Sequence, residues 1–129
     1  MTRNPLRRTR LAAVASAGFV AIAIASASPV LAHAMLERAS PPVGATLPGP
    51  PTELRLAFSE PVEPTFCRVT LQNGLGENVA VGELRSAGNG RVLSLALPNL
   101  PPGTYTVAWR VTSVDTHRTE GRFQFNVAH

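Results

Sequence analysis

Proline and glycine interrupt this chain so often beyond residue 40 that it cannot be built from long helices. Pro41-Pro42-Val43-Gly44, Pro48-Gly49-Pro50-Pro51, Pro61 with Pro64, Asn73-Gly74 with Gly76, and Pro98 to Gly103 recur at roughly ten-residue spacing. The runs between them alternate polar and apolar residues with period two. In Glu53-Leu54-Arg55-Leu56-Ala57-Phe58-Ser59 the side chains of Leu54, Leu56 and Phe58 share one face, the mark of a half-buried strand. Ala34 to Ser40, Cys67 to Gln72, Asn78 to Val81, Arg91 to Leu97, Thr104 to Thr112 and Gly121 to Val127 read as further strands, with Ser86 to Gly90 a loop. Tyr105, Val107, Trp109 and Val111 share a face, as do Phe123, Phe125 and Val127. About seven strands separated by turns predict an all-β fold, an antiparallel sandwich or small barrel, with Trp109 and Tyr105 in its core.

The first 32 residues follow a different logic. Arg3, Arg7, Arg8 and Arg10 form a basic zone, and Leu11 to Ala27 is an apolar run short for a membrane span. Ser28-Pro29 breaks it, and Val30 and Ala32 stand where a signal peptidase requires small residues. Residues 1–32 are therefore read as a cleaved signal peptide and residues 33–129 as one β-sandwich domain in the periplasm or outside the cell; an uncleaved anchor is the alternative. Arg7-Arg8 hints at twin-arginine export, though Arg10 stands where that signal calls for an apolar residue. Cleavage after Ala32 gives His33 a free α-amine beside its imidazole, two nitrogens able to chelate one metal ion.

Removing the leader also removes the apparent basicity. Of the 12 Lys+Arg residues four lie in the leader, whereas all 8 acids lie beyond it, so residues 33–129 balance to zero. A nucleic-acid or anionic-membrane role thus loses its electrostatic footprint. Cys67 is the only cysteine, so no internal disulfide is available, and it reads as a small buried side chain.

Three histidines carry the candidate chemistry: His33, His117 and His129. Asp115, the only aspartate, precedes His117 by two positions, so in an extended segment both would face one way and could address one ion. The plainer reading of such a pair is a loop carboxylate hydrogen-bonding a histidine. His129, at the terminus of the sequence, reads as solvated.

Ordered motifs then carry a family resemblance. His33-Ala34-Met35-Leu36 leading to Ser40-Pro41, Leu56-Ala57-Phe58-Ser59-Glu60-Pro61-Val62, Leu100-Pro101-Pro102-Gly103-Thr104-Tyr105, and Trp109 to His117 followed by Gly121-Arg122-Phe123-Gln124-Phe125 resemble the CopC family of periplasmic copper-resistance proteins. The resemblance implies a cupredoxin-like Greek-key β-sandwich with one Cu(II) held by His33, Asp115 and His117. It also sets Glu60 behind the ligands, where a solvated strand-end carboxylate is the competing reading. The α-amine and imidazole of His33, the imidazole of His117 and the Asp115 carboxylate offer three nitrogens and one oxygen, which suits tetragonal Cu(II). Some family members add a methionine-rich Cu(I) site, but Met35 is the sole methionine beyond the leader.

The implied function is Cu(II) sequestration, delivery or resistance by a monomeric carrier rather than an enzyme, with a CopD-type membrane copper transporter as partner. A histidine-brace copper oxidoreductase of the lytic polysaccharide monooxygenase kind is the alternative. A metal-free adhesion or scaffold sandwich is the third reading.

Overall fold

The structure, a computed structural model, describes Gly18 and residues 34–129. The expected leader, Gly18 apart, and the expected ligand His33 lie outside the described residues. Among the described residues nine strands run in the order β1 (Leu36–Ser40), β2 (Thr46–Leu47), β3 (Glu53–Phe58), β4 (Arg68–Gln72), β5 (Asn78–Val79), β6 (Arg85–Ala87), β7 (Val92–Ala96), β8 (Gly103–Thr112) and β9 (Arg118–Val127). A single 3-10 turn, Pro64–Phe66, precedes β4.

The strands form two sheets, one ordered β1-β3-β7-β6 and the other β2-β9-β8-β4-β5. The chain crosses between them repeatedly, and every pairing is antiparallel except the short parallel contact of β2 with β9. The seven expected strands are all present. The two additional ones, β2 and β6, escape a pattern search for physical reasons. β2 is two residues long, too short to show alternation, and β6 is exposed at all three positions, so no apolar side chain marks it. Beyond β6, Gly88, Asn89 and Gly90 all have positive φ and turn the chain into β7.

Period-two alternation builds the core. Leu54, Leu56 and Phe58 of β3 and Leu93 and Leu95 of β7 project from one sheet, while Leu71, Tyr105, Val107, Val111, Phe123, Phe125 and Val127 project from the other. Each such large apolar side chain contributes about 1.5–3 kcal/mol on burial. Tyr105 stacks on Phe125 with ring centroids 5.6 Å apart, and its hydroxyl donates to the Pro101 carbonyl, so the buried ring keeps its polar end satisfied.

Trp109 meets Phe58 edge to face at 5.3 Å and is half-buried between the sheets. Gly121, its directly opposed partner on β9, makes this possible. A Cβ at residue 121 would stand 2.6 Å from Trp109 Cζ2, far inside contact distance. The glycine is therefore the space into which the indole fits. Gly121→Ala is expected to lower stability by about 1–3 kcal/mol in urea unfolding, because Phe58 blocks the indole's retreat. An unchanged midpoint would show that Trp109 can shift freely.

Candidate metal centre

The β8–β9 hairpin ends in residues 113–117, which hold the Asp-x-His pair. The Ser113 amide donates to the His117 carbonyl at 2.9 Å, the Thr116 amide to the Ser113 carbonyl at 2.9 Å, and the His117 amide to Ser113 Oγ at 3.3 Å. Buried Ser113 is thus the hub of the turn, and it also bridges to Val62. These bonds replace the extended geometry expected of Asp115 and His117 by a tight turn. Thr116, between them, has φ of 68°, a left-handed conformation that a β-branched residue adopts only where its surroundings compel it.

The start of the described chain is tied to the same end of the sandwich. Ala34 is fully buried, and Thr119 Oγ1 donates to its carbonyl at 2.7 Å. Met35 exchanges two bonds with Ser59, its amide donating to Ser59 Oγ at 2.9 Å and its carbonyl accepting from the Ser59 amide at 2.9 Å. Glu60 follows directly. The Pro61 carbonyl accepts from the Val114 amide at 3.1 Å, so the segment around Glu60 lies against the turn.

The fold therefore gathers the segments carrying Asp115, His117 and Glu60 with Ala34, where the described sandwich begins. Asp115 is exposed, whereas His117 and Glu60 are half-buried and the His117 Nδ1 atom is shielded from solvent. Among the described residues no three His, Cys, Asp or Glu side chains group closely enough to hold a metal ion. The proposed set needs His33, which lies outside them. His129 is exposed.

The supporting residues Ser59, Ser113 and Thr119 were not foreseen. A usable signal existed for Thr119: the odd-numbered face of Phe123, Phe125 and Val127 extends back through Gly121 to residue 119, and β9 does begin at Arg118. Ser59 and Ser113 carry no such signal, because they act through hydrogen bonds to backbone, Ser59 to the distant Met35 and Ser113 to nearby His117, which leave no pattern in side-chain polarity.

Cys67 packs half-buried against the core, its Sγ donating to the Glu63 carbonyl at 3.1 Å. Burial pushes its thiol pKa up; the Thr112 backbone opposes this and the Glu63 carboxylate adds to it. The thiolate is correspondingly scarce at neutral pH.

The CopC domain profile matches residues 36–128, most of the chain. The chain belongs to the CopC family. It is 37% identical over 100 residues to protein YobA of Escherichia coli K12, a match covering 76% of this chain and 81% of that protein. It is 33% identical over 116 residues to copper resistance protein C of Xanthomonas campestris pv. juglandis, covering 84% and 89% respectively. Among solved structures, CopC from Methylosinus trichosporium OB3b superposes with a TM-score of 0.71 at 31% identity, covering 74% of this chain and 94% of that one. The two-sheet CopC sandwich is thus the fold seen here.

Two measurements test the local physics of this CopC domain. Thr116→Asn, which tolerates positive φ, should raise stability by about 1 kcal/mol in thermal unfolding; a loss would mean that the threonine is not strained. Iodoacetamide should alkylate native Cys67 at pH 8 several-fold more slowly than the urea-unfolded chain, since a raised pKa lowers the thiolate fraction. Equal rates would contradict the burial effect.

Proposed function

We propose that this CopC domain is exported, processed after Ala32, and carries one Cu(II) ion outside the cytoplasmic membrane, for sequestration, delivery or resistance. The α-amine and imidazole of His33, the imidazole of His117 and the carboxylate of Asp115 are the ligands. The observation that carries the reading is the anchoring of Ala34. Its carbonyl is held by Thr119, two residues beyond His117, and Met35 is doubly bonded to Ser59. His33 is covalently joined to Ala34, so its Cα is tethered about 3.8 Å from an anchored Cα at the end of the sandwich that bears the Asp115–His117 turn.

The chemistry of the donors fits the ion. Three nitrogens and one oxygen suit tetragonal Cu(II), and the carboxylate offsets one of its two charges. The relative from Xanthomonas is named for copper resistance, which agrees with this cargo. Glu60, half-buried beside the turn, is assigned the role of orienting a ligand from behind. With Met35 the only methionine beyond residue 32, the cargo is Cu(II) rather than Cu(I) held by thioethers. His117 and Asp115 would add a nitrogen and an oxygen to the two His33 nitrogens and leave less room for oxygen chemistry, so the role is carriage, with a CopD-type membrane protein as recipient.

Copper(II) titration with electron paramagnetic resonance tests the reading. The chain beginning at His33 should bind one tetragonal Cu(II) with nitrogen donors, and a chain with one extra residue before His33 should bind much more weakly. His117→Ala should weaken binding by more than about 100-fold, beyond the 10–100-fold typical of residues that only support ligands, and Glu60→Gln by about tenfold. Protons compete for the α-amine, so affinity should fall about tenfold per pH unit below about 7.7. Equal binding by the processed and extended chains would remove the α-amine from the site, and no binding by either would end the copper assignment.

A further inference from the structure

The outer face of the β2-β9-β8-β4-β5 sheet carries a charge imbalance that neither the fold nor the metal centre uses. Alternation sends Arg68 of β4, Arg110 of β8, and Arg118, Glu120 and Arg122 of β9 outward, and all five are exposed. Residues 33–129 balance to zero, yet this face has four arginines against one glutamate, leaving the rest with four arginines against seven acids. Positive charge is thus concentrated on the outer face of one sheet.

Register makes the arrangement unfavourable in the isolated chain. Arg68 stands directly opposite Arg110, and like charges so placed destabilise a sheet. Glu120 relieves one of them, its carboxylate 3.2 Å from the Arg110 guanidinium. Among the described residues none of the other three arginines forms an ion pair. Arg68, Arg110, Glu120 and Arg122 line a shallow groove of about 560 Å³.

A second groove, of about 520 Å³, adjoins the first through Arg68 and Arg110 and leads to Arg118 and Thr116, within the hairpin end that bears His117. Phe66, 68% exposed, stands at its margin. Arginine and an aromatic ring are the side chains that anchor protein interfaces, and guanidinium forks pair with carboxylates in two parallel bonds.

We infer that this arginine face docks an acidic, carboxylate-rich segment of a protein partner, with Phe66 receiving an apolar side chain of the same segment. A lipid surface fits less well. The chain has no lysine, and Phe66 is, among the described residues, the only exposed large apolar side chain lining these two grooves apart from half-buried Trp109, where membrane-surface binders present a broad apolar face. The groove's run to the Asp115–His117 turn makes the docked protein the one that exchanges copper with this domain. That role rests on the copper reading, but the docking itself does not.

The test is a backbone amide shift titration of the chain beginning at His33, with an oligoglutamate peptide containing one phenylalanine as probe. The expected result is shifts confined to β4, β8, β9 and Phe66, lost in about 1 M salt, where the screening length falls to about 3 Å. Affinity should drop about tenfold or more in Arg68→Thr/Arg110→Thr/Arg122→Thr and stay unchanged in Arg55→Thr/Arg85→Thr on the opposite sheet. Shifts elsewhere on the unaltered chain, or none, overturn the inference even if the triple variant does not fold. Stronger binding to phosphatidylglycerol vesicles than to the peptide at equal anionic charge overturns it in favour of a membrane. Cu(II) uptake by the triple variant should equal that of the unaltered chain, so loss of docking and loss of the copper site are separately visible.

Discussion

The register between β8 and β9 is the constraint on which everything else depends. Ten consecutive residue pairs, from Gly103 opposite Val127 to Thr112 opposite Arg118, lock the two longest strands together. Side chains on a strand alternate with a period of two, so a slip of one residue would turn Phe123, Phe125 and Val127 to solvent and bring Glu120 and Arg122 into the core. The same slip would part Gly121 from Trp109 and move Thr119 away from Ala34. Core, hairpin turn and arginine face are three readouts of a single pairing.

The elements most legible in the sequence were those that repeat a pattern. Leu54-Arg55-Leu56-Ala57-Phe58 and Phe123-Gln124-Phe125 state their buried faces outright, and the proline and glycine clusters between runs state where strands stop. β2 was hidden because two residues cannot alternate, and its parallel pairing with β9 is decided by where the preceding turn delivers the chain. β6 was hidden because its stability comes from backbone bonds to β7, which leave no trace in side-chain polarity.

The candidate metal centre was legible to a different degree. Asp115 and His117 are conspicuous because the chain has so few aspartates and histidines, and Glu60 followed from resemblance. The frame around them was not legible. Ser59 and Thr119 are ordinary hydroxyl residues whose importance lies in which distant carbonyl or amide they meet, Ser113 is one whose importance lies in being buried where it can hold the His117 amide, and only the assembled sandwich decides either. The expected extended geometry failed for the same reason: nothing local in Ser113-Val114-Asp115-Thr116-His117 announces that a buried serine hydroxyl will fold the segment into a turn.

The bond from Thr119 to the Ala34 carbonyl spans 85 positions of sequence. Closing so long a loop carries a larger entropic penalty than closing the β8–β9 hairpin, whose strands are joined by five residues. Contacts of this range form late, after the local pairings that bring their partners near. On the proposed reading, the hairpin can be complete while the amino-terminal ligand is still free in solution. The four-donor site then becomes a property of the finished sandwich alone, and a half-folded chain emerging from export offers copper two separate pairs of donors, the amine and imidazole of His33 and the Asp115–His117 turn, where the native protein offers one joined set.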